Sequence, residues 1–303
     1  MERFGRILVC IKHPDQAGWL LAAAEAVSRA ARSQEVHLLH IRSAPPAGGG
    51  PEFEKTGPEK LTSDGLRAIA NEHLKGHGRS QVFCSVVVGS EMVEILRYAM
   101  DQEVDLIILG RRAGKLPNEA TLARRVTMKS TCSVLVVPAG TGVSGRRVLV
   151  PVRNSECSAR AAETACAIAA ANLGRVRCMN VFPVRGDYLE ADLTLEEHTA
   201  LMRQWADREN QQILQSVNNH GLELATVSVP DIHGRPAGII LEAVESESPD
   251  LVVIGARGRT GAAGVLLGAV TEQLICQSPV PVLAVKRKGE CIGLLRALLT
   301  LAG

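Results

Sequence analysis

The chain has 303 residues, 46% of them apolar and 22% charged, enough material for more than one ordinary hydrophobic core. Its 34 basic and 32 acidic side chains leave a formal charge of +2, and aromatic residues make up 3%, which argues against nucleic acid or a membrane surface as partner. No run approaches about 18 consecutive apolar residues, and MERFGRILVC passes directly into a strand pattern, so the expectation is a cytoplasmic protein with neither membrane span nor secretory leader.

In chain order, ILVCI (7–11) precedes an Ala-rich helical run at 17–33, and VHLLHI (36–41) precedes a helix near 59–76. VFCSVVV (82–88) leads into MVEILRYAMDQE, LIIL (106–109) is followed by a loop and a helix near 120–130, and SVLVV (133–137) closes the half. The order then repeats: VLVPV (148–152), VRCMNVF (176–182), LATVSV (224–229), LVVI (251–254) and PVLAV (281–285), with helices predicted near 156–173, 194–219, 235–246 and 264–276. Short, near-continuous apolar strands separated by helices imply parallel sheets covered on both faces by right-handed βαβ units.

The halves are copies. RILVCIKHP at 6–14 returns as RVLVPVRNS at 147–155, and DLIILGRRAG at 105–114 returns as DLVVIGARGR at 250–259, a repeat distance of whole-domain size. AGTGVSG (139–145) is the junction, dividing a first domain at 1–140 from a second at 145–288. The Gly- and Pro-rich stretch 43–60 reads as a surface excursion. The tail 289–303 has no counterpart in the first half, and Ile292, Leu294, Leu295, Leu298 and Leu299 in it would line one face of a short helix.

The eight cysteines are scattered among apolar neighbours with no CxxC pair, which reads as reduced core thiols rather than a disulfide framework or metal site. Cys157 stands at a strand-to-helix junction, where amide dipoles favour a thiolate. His73 and His77 are four apart, but HLKGH is not HExxH. Asp231 and His233, in PDIHGRPAG, read as a turn with local hydrogen bonds, the alternative being a general base.

Gly255 ends a predicted strand, Gly258 follows after two residues, and Gly268 after nine more, where the predicted helix is well started. Beyond the carboxyl ends of a parallel sheet, such a loop turns amides toward phosphate oxygens with help from the following helix dipole. It is neither a Walker A nor a first-turn GxGxxG, and a tight structural turn is the plain alternative. The corresponding segment of the first half, GRRAGKLPNEATLARRVTMKS, has lost most of these glycines.

Taken together, the ILVxx starts, the Ala-rich first helices, DLVVIGARG, the spaced glycines and the closing PVPVLAV resemble the universal stress protein family in its tandem two-domain form, over roughly 3–140 and 145–287. The resemblance implies two open α/β domains, each with a five-stranded parallel sheet in the order 3-2-1-4-5. It also implies that strands 133–137 and 281–285 meet across an internal pseudo-twofold, with further homodimerisation open. By the same resemblance, Gly255, Gly258 and Gly268 fall on an ATP-binding Gly-x2-Gly-x9-Gly pattern, with Arg257 in its loop and Mg²⁺ arriving with the nucleotide.

Two departures stand out. Ala269 replaces the hydroxyl residue expected to donate to a phosphate, leaving its amide, Val270 and the nearby Thr271 hydroxyl. Arg153 stands where the family has an Asp facing the nucleoside, so it meets a phosphate or turns to solvent. Pro151, Val152, Asn154 and Ser155 would form the rim, with Val181 as an apolar wall for the base; core packing is the alternative for both valines. In the first half the matching positions are Gly110, Ala113 and Arg124, with Lys12 for the Asp; Arg111, Arg112, Lys115, Arg124 and Arg125 make a basic cluster.

The implied function is a sensor or regulator that binds ATP or a related adenine nucleotide in its second domain and acts through protein partners, hydrolysis being slow at most. Three other readings stay open: a scaffold that binds no nucleotide, an enzyme such as a nucleotide hydrolase or transferase, and a binder of another anionic metabolite, for which Arg153 would be an asset.

Overall fold

The computed structural model describes residues 4–42, 61–74, 80–112, 117–184, 193–256 and 267–289, and the chain divides into two compact units. Unit 1 comprises Met1–Gly142 with Arg287–Gly303, and unit 2 comprises Val143–Lys286.

In unit 1, strands β1 (Arg6–Cys10), β2 (Glu35–Arg42), β3 (Gln81–Val88), β4 (Leu106–Arg111) and β5 (Ser133–Pro138) alternate with helices α1 (Ala17–Ala31), α2 (Ser63–His73), α3 (Glu91–Asp101) and α4 (Pro117–Lys129). Every pairing is parallel and the order is β3-β2-β1-β4-β5. Unit 2 repeats the plan with β6 (Arg147–Pro151), α5 (Glu156–Ala171), β7 (Arg175–Pro183), α6 (Leu195–Gln215), β8 (Leu224–Asp231), α7 (Pro236–Glu247), β9 (Leu251–Gly255), α8 (Ala269–Gln277) and β10 (Val282–Val285). Its order, β8-β7-β6-β9-β10, is again parallel throughout. Both are open sheets in the order 3-2-1-4-5 that the resemblance implied.

The inner strands are apolar on both faces because helices cover both. Ile7, Leu8, Val9, Leu106, Ile107 and Ile108 are fully buried, as are Val150, Val252 and Val253; each such side chain contributes roughly 1.5–3 kcal/mol of burial. The outermost strand of unit 1 is half covered, with Val82 and Phe83 exposed. Helix starts follow local chemistry. Thr62 caps α2 through Gly65 N, Ser155 caps α5 through Ser158 N, and Thr194 with Glu197 forms a reciprocal capping box on α6.

The acid that opens both copies of the repeated DLxxxG segment ties strand starts together. In unit 2, Asp250 accepts hydrogen bonds from Ser144 Oγ (2.6 Å) and from the backbone amides of Gly145 (3.0 Å), Arg146 (3.0 Å) and Arg147 (2.9 Å). In unit 1, Asp105 accepts from Arg6 N at 2.9 Å and pairs with Lys288 Nζ at 2.6 Å. Lys288 also donates to Glu103 O and Gly289 N to Thr131 O, so the chain beyond Lys286 is part of unit 1, whereas the sequence reading extended the second domain to 288. The predicted helical tail beyond Gly289 and the excursion at 43–60 lie outside the described residues.

Seven described cysteines are free thiols, several of them deep in the sheets. Burial pushes the Cys166 thiol up to about 11 and Cys178 up to about 12, and raises Cys10, with Glu91 adding to that last shift. A thiol raised above its ordinary value of 9.0 contributes stability that is present below that value and lost as pH climbs toward the folded value. Urea denaturation across the alkaline range should therefore show a falling midpoint between about pH 9 and 11, a fall reduced by Cys166→Ala and Cys178→Ala. Asp250→Ala, which strands four donors, should lower unfolding free energy by about 2 kcal/mol by the same assay.

Candidate functional site

The carboxyl ends of the inner strands are where an open parallel sheet holds ligands, and the two units build that place differently. In unit 2, the loop after β6 is held by a short hydroxyl chain. Arg153 N donates to Ser158 Oγ at 3.1 Å, Ser155 Oγ to Ser158 Oγ at 3.0 Å, and Ser158 N to Ser155 Oγ at 3.2 Å. With its amide engaged, Arg153 extends its side chain outward and is exposed, Asn154 is half-buried, and Pro151 is buried. Val152, whose amide donates to Met179 O at 2.8 Å, and Val181 are 2% and 7% exposed, so both lie in the core layer beneath any rim.

Gly255, the last residue of β9, has a structural duty. A Cβ there would stand 2.9 Å from the carbonyl carbon, oxygen and Cβ of Cys157, so the missing side chain is what admits the first turn of α5. Gly268 N donates to Ala256 O at 3.0 Å. Arg257 and Gly258 lie outside the described residues. Gly268 is the N-cap of α8 with φ −62° and ψ 137°, a conformation open to any residue, and no side chain caps the helix. The first amide of α8 with an intrahelical acceptor is that of Glu272, on Gly268 O at 2.9 Å. The amides of Ala269, Val270 and Thr271 thus have no acceptor among the described residues, and Ala269 is exposed.

The Thr271 hydroxyl expected to face a ligand does not. It is 2% exposed and donates to Gly255 O at 2.9 Å, because the side chain of a third helical residue points back toward the strand that α8 covers. That bond fastens the start of α8 to the end of β9, leaving backbone amides to face an anion.

In unit 1 the same end holds a cavity of about 90 Å³ floored by Cys10, Ile11, Leu39, Ile95 and Leu109. Lys12 Nζ pairs with Glu91 at 2.9 Å at its edge, and Lys12 N donates to Gln16 Oε1 at 3.3 Å. A Cβ on Gly110 would stand 2.6 Å from Trp19 Cη2, so an indole lies against the glycine that matches Gly255. Within the basic cluster, Arg112 meets Asp15 at 3.2 Å, while Ala113 and Lys115 are outside the described residues. Glu91 and Trp19 escaped the sequence reading; an acid opening the third helix and an aromatic in an Ala-rich first helix were the available signals.

Asp231 Oδ1 accepts from His233 N (3.2 Å) and Arg235 N (2.9 Å), a local turn. Among the described residues no three His, Cys, Asp or Glu side chains converge to hold a metal ion, and no helix is long and apolar enough to cross a membrane.

The two glycines predict different penalties. Gly255→Ala presses a Cβ on backbone atoms that cannot swing away and should lower stability by about 1–3 kcal/mol. Gly110→Ala meets the far end of an indole and should cost less while shifting Trp19 fluorescence. Thr271→Val should cost about 1 kcal/mol, all three read by urea denaturation.

The family model for the universal stress protein family matches residues 3–138 and again 145–286. A universal stress protein of Thermus aquaticus is 31% identical over 144 residues, covering 46% of this chain and 98% of its own. One from Methanocaldococcus jannaschii is 29% identical over 145 residues, covering 47% and 82%. A solved structure of a functionally unknown protein from Pseudomonas aeruginosa superimposes with a TM-score of 0.69 at 19% identity, covering 98% of both chains, and so shares the whole fold. Both halves of this chain carry the fold and the matching sequence, and the chain belongs to the universal stress protein family as a tandem of two such domains.

Proposed function

We propose that unit 2 binds an adenine nucleotide, ATP foremost with Mg²⁺ accompanying it, and that the protein is a cytoplasmic sensor acting through protein partners rather than by turnover. The observation that carries this reading is the start of α8 at the carboxyl end of β9, where the amides of Ala269 and Val270 have no acceptor among the described residues and can meet phosphate oxygens. Its helix dipole adds to the attraction, and the exposed Arg153 lies on the loop after the neighbouring β6. Asn154 and Ser155 belong to that same loop, and Pro151 ends β6 just before it, on the side proposed for the ribose.

Unit 1 offers a poorer place. Its cavity of about 90 Å³ falls well below the roughly 300–1,000 Å³ of a pocket that encloses a drug-sized ligand, and the Lys12–Glu91 pair stands at its edge. Arg153 supports a second reading, an anionic metabolite other than a nucleotide, because a cation in place of a carboxylate favours phosphate over ribose hydroxyls.

Calorimetric titration of the full chain with MgATP tests the assignment. One saturable site per chain is expected, tightened about two- to tenfold in Ala269→Ser by the added hydroxyl donor. Ala269→Asp should abolish binding while leaving the helix intact, since a carboxylate favours a helix start but repels phosphate. An unchanged isotherm in Ala269→Asp, or none for the parent at millimolar ATP, overturns the assignment.

A further inference from the structure

The opposite, amino end of the unit 2 sheet carries a charge arrangement that neither the fold nor the nucleotide reading requires. Arg147 opens β6 and Arg175 opens β7, and the two are direct partners in the parallel register. Register partners share a face, and neighbouring strands are only about 4.8 Å apart, so the two arginine side chains leave the same face of the sheet from adjacent positions. Arg177, two residues on, extends the row along the same face. Arg146 stands beside them, and all four are exposed.

Adjacent like charges destabilise a sheet unless something of opposite sign lies between them. Arg177 has Glu247 at 3.3 Å. Arg146, Arg147 and Arg175 have no acidic partner for their side chains among the described residues. Asp250 is close, but its carboxylate is engaged by Ser144 Oγ and three backbone amides. Two clefts of about 550 and 580 Å³ meet here, and both are lined by Arg147 and Arg175. Glu223 stands on the β8 side of the larger one.

We propose that the amino ends of β6 and β7 form a second anion site, which takes a compact oxyanion of two or more charges held between the guanidiniums of Arg147 and Arg175. Planar guanidiniums bind phosphate and carboxylate oxygens in the same forked geometry, so phosphoanhydrides and polycarboxylates are the two sources of such a ligand. The site lies at the far end of the strands from α8 and does not depend on the nucleotide reading.

The test titrates pyrophosphate, and separately citrate, into full-length Ala269→Asp protein, in which the start of α8 no longer accepts an anion. Backbone amide shifts are followed by NMR. Saturable shifts at Arg146–Leu149 and Gly174–Val176, with a Kd on the order of 1 mM, are expected; response to one probe but not the other names the source. Arg147→Gln and Arg175→Gln should each weaken binding about fivefold, Glu223→Gln should strengthen it, and Arg67→Gln in unit 1 should leave it unchanged. The parent's affinity for MgATP should be unaffected by Arg147→Gln. No saturable shift at these amides with either probe, or equal binding by Arg147→Gln and Arg175→Gln variants of native fold, overturns the proposal.

Discussion

A single glycine at the end of the fourth strand of each unit sets how closely the first helix can approach the sheet. Where Gly255 ends β9, the backbone of Cys157 occupies the space a side chain would need. The start of α5, the Ser155–Ser158 hydroxyl chain and the loop carrying Arg153 are all placed by that contact. From the same residue, the Gly255 carbonyl receives the Thr271 hydroxyl and so positions the first turn of α8. The start of α8 and the loop after β6 are thus both referred to one strand end, a rigid scaffold for segments that are otherwise irregular.

Unit 1 shows what becomes of that scaffold when its surroundings change. Gly110 occupies the equivalent position, but an indole rather than helix backbone lies against it. Lys12, in the place of Arg153, has an acid opposite it in Glu91, and the ion pair draws the first loop toward α3. Among the described residues, the two copies of one fold therefore differ at their carboxyl ends in that Lys12 has an acidic partner and Arg153 has none. That difference, together with Trp19 against Gly110, distinguishes the two carboxyl ends.

The amino ends obey another logic. Asp105 and Asp250 gather the amides that begin the strands, and they recur because every parallel sheet must satisfy donors where its strands start. The acceptor positions of Asp250 are taken by Ser144 Oγ and three backbone amides, and Arg146, Arg147 and Arg175 form no ion pair with it. Exposed arginines on adjacent strand starts are a feature of unit 2, whose β6 and β7 both begin with one.

Strand and helix positions were legible in the sequence because apolar runs of strand length can be buried only between helical layers, and the duplicated segments named the strand order through family resemblance. The Asp-x-His turn was legible for the same local reason: its hydrogen bonds join residues two and four apart. What sequence did not disclose are contacts between residues far apart in the chain. The contact of Gly255 with Cys157 and the bond from the Thr271 hydroxyl to Gly255 O both join residues distant in the chain. Lys12 meeting Glu91, Trp19 covering Gly110, and Arg147 standing beside Arg175 are likewise products of packing. Periodicity and spacing are local properties and determined the elements by themselves. Which side chains remain free to meet a ligand depends on which partners the fold brings to them, and only the tertiary structure decided that.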